Sequence, residues 1–240
     1  HTHRINLFST EGKFLGAWGT LGSGDGELKE PSGLAFDPEN NLYVVDTGNN
    51  RVQKFTKNGK FLLKWGTNGS GEGQFDMPWG IALDSDSQVY VADWHNERVQ
   101  KFTPDGQFVA AFGEPGEGDG QFHRPSKVAV DPEGYIYVAD WGNERVQVLG
   151  PDGSFNLKLR GEGTISKWAQ DFLDANPDES VERDKSNLVP ELPSHFNTPY
   201  LISTQIEQYF WGPASVNLDR EGRLYVTESA RHRVQVYQKG

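Results

Sequence analysis

Asp46, Asp93 and Asp140 stand 47 residues apart, and Arg51, Arg98 and Arg145 follow them at a constant spacing. An Asp that closes one strand and an Arg that opens the next can bridge the turn between them with an ion pair. Because the pairs recur with the repeat, their expected role is structural. The glycine- and acid-rich links, such as Gly22-Ser23-Gly24-Asp25-Gly26-Glu27, resemble calcium loops only superficially, since they lack the full ligand spacing. His1, His3, His95, His123, His195 and His232 are scattered, and only His1 and His3, at the start, stand close together. No metal and no cofactor are expected. The other side chains with binding chemistry are tryptophans. Trp94 and Trp141 occupy positions where the other copies have Thr47 and Ser229, His95 follows Trp94, and Trp79 and Trp211 flank strand starts. Loop tryptophans can lid seams between structural units, or form an aromatic platform for a sugar ring, a peptide or a partner protein.

These residues are carried by a repeated unit. YVVDTGNNRVQ at 43–53 returns as YVADWHNERVQ at 90–100 and YVADWGNERVQ at 137–147, and a fourth copy, YVTESARHRVQ, lies at 225–235. Pro31, Pro78 and Pro125 keep the same 47-residue step, as do Gly59 and Gly106. One such unit cannot bury its own apolar face, so a period of this size means stacked or ring-closed units. In the copy that begins at Pro78, Gly80–Leu83 and Gln88–Ala92 read as strands a and b. Arg98–Phe102 alternates polar with apolar residues as strand c, Pro104-Asp105-Gly106 is a turn, and Gln107–Phe112 is strand d. Four short strands per unit at this period are blades of a β-propeller.

The Asn-x-Arg-Val-Gln segments, the Tyr-Val-x-Asp before them and the Gly69–Phe75 link resemble NHL repeats. The resemblance covers nearly the whole chain outside about 164–207. It implies an all-β propeller of four-stranded antiparallel blades and leaves function open, because this family hosts RNA-binding, protein-binding, sugar-binding and lyase members. The expected pieces are residues 1–30, 31–77, 78–124, 125–163 and 213–240, with an insert at 164–207 in a d–a link. Strand c occurs five times, near Arg4, Arg51, Arg98, Arg145 and Arg233, so one is surplus to a four-blade ring. The expectation is part of a larger propeller, similar to the six-bladed members. The lack of a start methionine or signal peptide fits a chain without its beginning.

The net charge of −11 argues against nucleic acid, whose binders usually carry a basic footprint. No apolar stretch approaches the length needed to span a bilayer. The absence of cysteine is compatible with either redox compartment, and an extracytoplasmic setting is preferred. In the insert, Ser166–Asn176 reads as a helix capped by Ser166 and stopped by Asn176-Pro177, with Trp168, Ala169, Phe172 and Leu173 on one side. Little other helix is expected.

The channel of a propeller is lined by strand a, which here reads Leu34-Ala35-Phe36, Ile81-Ala82-Leu83, Val128-Ala129-Val130 and Val216-Asn217-Leu218. Only Asn217 in these segments is polar, so no catalytic residue is assigned. The expected function is a non-catalytic binding or assembly module. Trp79, Trp94, His95, Trp141 and Trp211 form its recognition face, the partner is a protein, and a glycan is second choice. The competing class is a metal-dependent lyase or hydrolase whose catalytic groups lie in other blades.

Overall fold

A computed structural model describes residues 3–161, 167–188 and 190–238. The chain opens with an antiparallel hairpin, β1 (Ile5–Phe8) and β2 (Phe14–Trp18). Three four-stranded antiparallel sheets follow. The first holds β3 (Pro31–Phe36), β4 (Leu42–Asp46), β5 (Arg51–Phe55) and β6 (Phe61–Trp65). The second holds β7 (Pro78–Leu83), β8 (Val89–Asp93), β9 (Arg98–Phe102) and β10 (Phe108–Phe112). A short parallel pair, β11 (Glu114–Pro115) and β12 (Gln121–Phe122), lies in the next link. The third holds β13 (Pro125–Val130), β14 (Ile136–Asp140), β15 (Arg145–Leu149) and β16 (Phe155–Leu159). A last sheet has three strands, β17 (Pro213–Leu218), β18 (Leu224–Glu228) and β19 (Arg233–Tyr237).

Strands pair in chain order within each sheet, as a meander of tight turns requires. The first strands of successive sheets, β3, β7, β13 and β17, lie side by side, so the sheets radiate as propeller blades. The cores sit in the seams. Tyr43, Val45 and Val52 of the first blade pack on Ile81, Val89 and Val91 of the second. Tyr90 and Val99 pack on Val128, Ile136 and Val138, and Ala139 and Val146 on Val216, Leu224 and Val226. Burial therefore depends on a neighbour. Ile81 is 1% exposed, whereas Leu34, its counterpart on the first blade, is 45% exposed. Val52, Val99 and Val146 are fully buried, while Val234, their counterpart on the last blade, is 56% exposed. Each blade face is apolar because it belongs to a seam.

The insert holds more helix than expected. Besides α1 (Lys167–Ala175) it forms α2 (Pro177–Lys185) and α3 (Pro199–Gln205). Asn176-Pro177 ends the first helix but also starts the second, because Pro fits the first helical position, where its missing N–H costs nothing. Asp178 and Glu179 in the first turn of α2, and Arg183 and Lys185 in its last, complement the helix dipole. Thr198 caps α3 by accepting from the Leu201 N–H at 3.3 Å. The expected Ser166 cap and the Trp168 and Ala169 side chains lie outside the described residues. Phe172 in the expected stripe is exposed. The two ends of the insert meet, with the Phe210 N–H donating to the Arg160 carbonyl at 2.6 Å.

Candidate functional site

The periodic Asp–Arg pairs form the floor of the face made by the b–c turns and d–a links. Asp46 accepts from the Lys29 N–H at 2.6 Å, Asn49 Nδ2 at 2.9 Å, Arg51 Nε at 2.6 Å and Gln53 Nε2 at 3.0 Å. Arg51 also reaches the carbonyls of Ser23, Gly24 and Glu27 in the link, and Asn49 reaches that of Gly22. Asp93 and Asp140 repeat the set with Asn96, Arg98 and Gln100, and with Asn143, Arg145 and Gln147. Burial holds the Asp93 and Asp140 carboxyls above their ordinary value, and the converging donors offset only part of that rise. These are not weak surface pairs, because the aspartates are completely buried. They also hold the d–a link as well as the b–c turn.

The fourth blade adapts this frame to the insert. Glu228 replaces the aspartate and accepts from the Trp211 N–H, Arg233 and Gln235. Arg231 replaces the asparagine and reaches farther, to the Ser203 and Ile206 carbonyls of the insert. A second periodic contact joins the blades. The N–H of Glu30 donates to His3 Nδ1 at 3.0 Å and that of Met77 to Asn50 at 2.8 Å. Those of Arg124 and Gly212 donate to Glu97 and Glu144. Glu144 is buried, with the Glu228 carboxylate nearby, and its pKa is pushed up to about 7.

Above the frame the repeat breaks. At the second position of strand a, Ser32 Oγ donates to the Trp79 carbonyl at 2.7 Å and Ser126 Oγ to the Ala214 carbonyl at 3.1 Å. Each serine thus ties its strand to the next blade. The second blade has Trp79 there, so its serine tie is missing. Lys127 supplies a substitute, with Nζ donating to the Ile81 carbonyl at 2.8 Å. Lys127 occupies a position that reads Gly33 and Gly80 in the earlier blades. Gly80 leaves the room, since a Cβ there would lie 2.6 Å from Lys127 Cα. Burial lowers the Lys127 pKa. Besides Asn217 the channel strands carry Ser32, Ser126, Ser215 and Lys127, and of these Lys127 alone is charged. It immediately precedes the Val128–Val130 segment, and its departure from the glycine repeat was the available signal.

Trp79 is 40% exposed and meets Trp94 edge-on, with centroids 4.8 Å apart at 87°. Trp94 lies 6.2 Å from Trp141 and 5.9 Å from His95. Trp94 and Trp141 are half-buried and His95 is exposed. The indole N–H of Trp94 is buried without a hydrogen-bond partner among the described residues. Trp211 stands apart from this chain of rings. It packs on Tyr200 of α3 at 6.1 Å and under the Arg231 guanidinium at 5.7 Å. Helix α3 also touches the Trp141–Asn143 turn, which places the insert beside the aromatic row. Trp18 and Trp65 are packed in seams, against Phe55 and Phe102.

The opposite end of the channel has a cavity of about 720 Å³ lined by Leu83, Asp84, Val130, Asp131, Leu218 and Asp219. Its aspartates serve their own a–b turns. Asp131 accepts from the Tyr135 N–H at 2.8 Å, and Asp219 from the Arg223 N–H at 2.9 Å. Among the described residues, no three His, Asp or Glu side chains gather as a metal site. No helix among them is long and apolar enough to cross a membrane.

Radial four-stranded blades with this repeated frame define a β-propeller. The family model for the NHL repeat matches residues 28–55, 75–102, 122–149 and 210–237, and the chain belongs to the NHL-repeat β-propeller family. No curated protein matches it. Among solved structures, a streptogramin B lyase is similar at 12% identity and a TM-score of 0.57, covering 99% of this chain and 62% of that one. A catalytically inactive virginiamycin B lyase from Staphylococcus aureus, with quinupristin, is 11% identical at a TM-score of 0.57, covering 99% and 64%. A protein of unknown function from Bacteroides caccae is 13% identical at a TM-score of 0.57, covering 95% and 64%. At these identities the likeness shows the fold alone. The chain spans less than two thirds of the length of these structures.

Proposed function

We propose that this chain is a non-catalytic recognition module, part of a larger propeller of the six-bladed kind. Trp79, Trp94, His95 and Trp141, bordered by Trp211 and the insert, bind a partner protein. The observation that carries this reading is Trp79. It stands where Ser32 and Ser126 tie blades together, it is exposed, and a lysine from the next blade substitutes for the lost tie. A structural residue of a repeat keeps the repeat, and an exposed indole in a row of aromatics has the character of an interface anchor. The insert adds a second contact beside Trp141 and Trp211.

The test is binding by the intact chain before and after substitution. Trp94→Ala with Trp141→Ala, and separately Trp79→Ser, should abolish capture of a specific partner while thermal unfolding still shows folded blades. Loss of glycan-array binding in the same variants would move the assignment to a sugar. Cleavage of a streptogramin B substrate, with activity unchanged by the tryptophan substitutions, would instead establish the lyase reading and remove this one.

A further inference from the structure

Resting on that reading, we infer that the group seated on Trp79 is a cationic side chain, so that the partner presents a basic segment. Three repeat positions carry the inference. The rim residue that reads Lys29 in the first blade and His123 in the third is Asp76 in the second, the blade that holds Trp79. The Asp76 carboxylate is nearly half exposed and lies 3.5 Å from His95 Nδ1, and His95 touches Trp94. The link residues Asp25, Glu72 and Asp119 also correspond. Lys64 neutralises Asp25 at 2.6 Å and Lys158 neutralises Asp119 at 2.7 Å. The corresponding position for Glu72 is Ala111, and Glu72 has no ion pair among the described residues. Asn96 and Arg98 bond to that link, so Glu72 belongs to the same edge as the Trp94 turn.

The second blade therefore has a carboxylate where the first has Lys29, lacks the lysine that neutralises the link carboxylate of both neighbours, and gains an exposed indole at a third position. A tryptophan face is the strongest aromatic seat for a cation, and carboxylates farther along the same edge add a longer-range attraction that salt weakens. An anionic partner would be repelled at this edge. A neutral sugar would donate its hydroxyls to such carboxylates but draw no net charge attraction from them, so its binding would lack the salt dependence of a cation. Charge complementarity thus selects lysine or arginine side chains over either.

The probe is a blocked Gly-Lys-Gly-Lys-Gly peptide titrated into the intact chain and followed by calorimetry and tryptophan fluorescence. Replacing its lysines by trimethyl-lysine should preserve binding, because the charge and not the N–H is read. Replacing them by norleucine should weaken binding about tenfold or more. Asp76→Asn with Glu72→Gln should weaken it several-fold and flatten its salt dependence, and Trp79→Ser should abolish it. Norleucine binding as well as lysine, or affinity unmoved by the two charge substitutions, would overturn the inference. So would peptide binding that survives Trp79→Ser, because the cation would then sit elsewhere. If none of the peptides binds while Trp79→Ser still abolishes partner or glycan capture, the recognition surface stands and its cationic specificity falls. If neither peptide binding nor capture responds to Trp79→Ser, both fall.

Discussion

The buried frame and the rim above it follow opposite rules in one repeat. The frame reads Asp–Asn–Arg–Gln in three blades and Glu–Arg–Arg–Gln in the fourth, where the link is longer. The rim reads Lys29, Asp76, His123 and Trp211 at one position, and Ser32, Trp79, Ser126 and Ala214 at another. Every frame residue has the same job in each blade, to hold a turn and a link together. Apart from the tie that Ser32 and Ser126 share, the rim side chains have no common job, so their identity is free to answer to something outside the blade. Periodicity thus separates fold from recognition within a single sheet end, and each of the following substitutions bears on that separation.

The largest effect is expected in the frame. Arg145→Met leaves the Asp140 carboxylate buried with its ion pair gone and frees the link carbonyls of Glu117, Gly118 and Gln121. Breaking one side of a buried pair costs about 3–5 kcal/mol. Arg98→Met should cost less, because Arg98 makes fewer link contacts and its side chain is more exposed. Urea unfolding measures both. Equal, small losses would mean that the frame is no more than a set of surface pairs.

Glu144 probes the joint between blades by pH. Its folded pKa of about 7 lies above the ordinary value of 4.5, chiefly because of burial, with the Glu228 carboxylate adding to the rise. Between these values the folded chain keeps the proton while the unfolded chain releases it. Its contribution to stability therefore falls as pH rises from about 4.5 to about 7, by about 3 kcal/mol, and is flat above. Glu144→Gln keeps an acceptor for the Gly212 N–H and removes this dependence. The difference in melting temperature between the two proteins should shift in favour of the variant across that window. A difference that does not vary with pH would show that Glu144 does not titrate there.

Much of this was legible in the sequence, for a physical reason. A repeat shows each strand, turn and seam residue several times, so Val52, Val99 and Val146 announce a packed face without a structure. The ion pairs were legible as pairs, but their burial was not. Burial depends on the link folding over Arg51, Arg98 and Arg145, and the link's single periodic apolar residue, Leu28, Phe75 or Phe122, does not show by itself that the glycine-rich carbonyls close over the guanidinium. The helices α2 and α3 were missed because the charged segment and the proline-rich one carry no apolar stripe, and their starts rest on Pro177 and Pro199 in first-turn positions. Lys127 was overlooked because its meaning lies in another blade, at Trp79, where the serine tie is absent.

Trp79→Ser restores the repeat. The new hydroxyl faces the Ser126 carbonyl, which holds the position of the Trp79 carbonyl under Ser32, so the restored tie offsets the lost Trp79–Trp94 contact and stability should change by about 1 kcal/mol or less. Binding should fall by about 2 kcal/mol or more, roughly thirtyfold. This is the reverse of the pattern expected for Arg145→Met, and side-by-side calorimetry of unfolding and binding distinguishes them. A large stability loss with unchanged binding would place Trp79 in the frame.

The smallest effect concerns the border between the two regions. Arg231 occupies the frame position of Asn49, Asn96 and Asn143, yet its hydrogen bonds go to the insert, at Ser203 and Ile206. Arg231→Asn gives the fourth blade the side chain of the others, which is long enough for a short link and too short for this one. The substitution also removes the guanidinium over Trp211. The frame pair Arg233–Glu228 remains, so the blade should stay folded, with a loss of about 1 kcal/mol or a few degrees in melting temperature. The insert should respond more than the blade. Trypsin should cut after Arg183 and Lys185 faster than in the parent, and exchange at the Ile206 and Tyr209 amides should speed up while β18 and β19 keep their protection. If cleavage and exchange in the insert stay unchanged, Arg231 does not anchor it, and the fourth blade departs from the repeat without joining the frame to the rim.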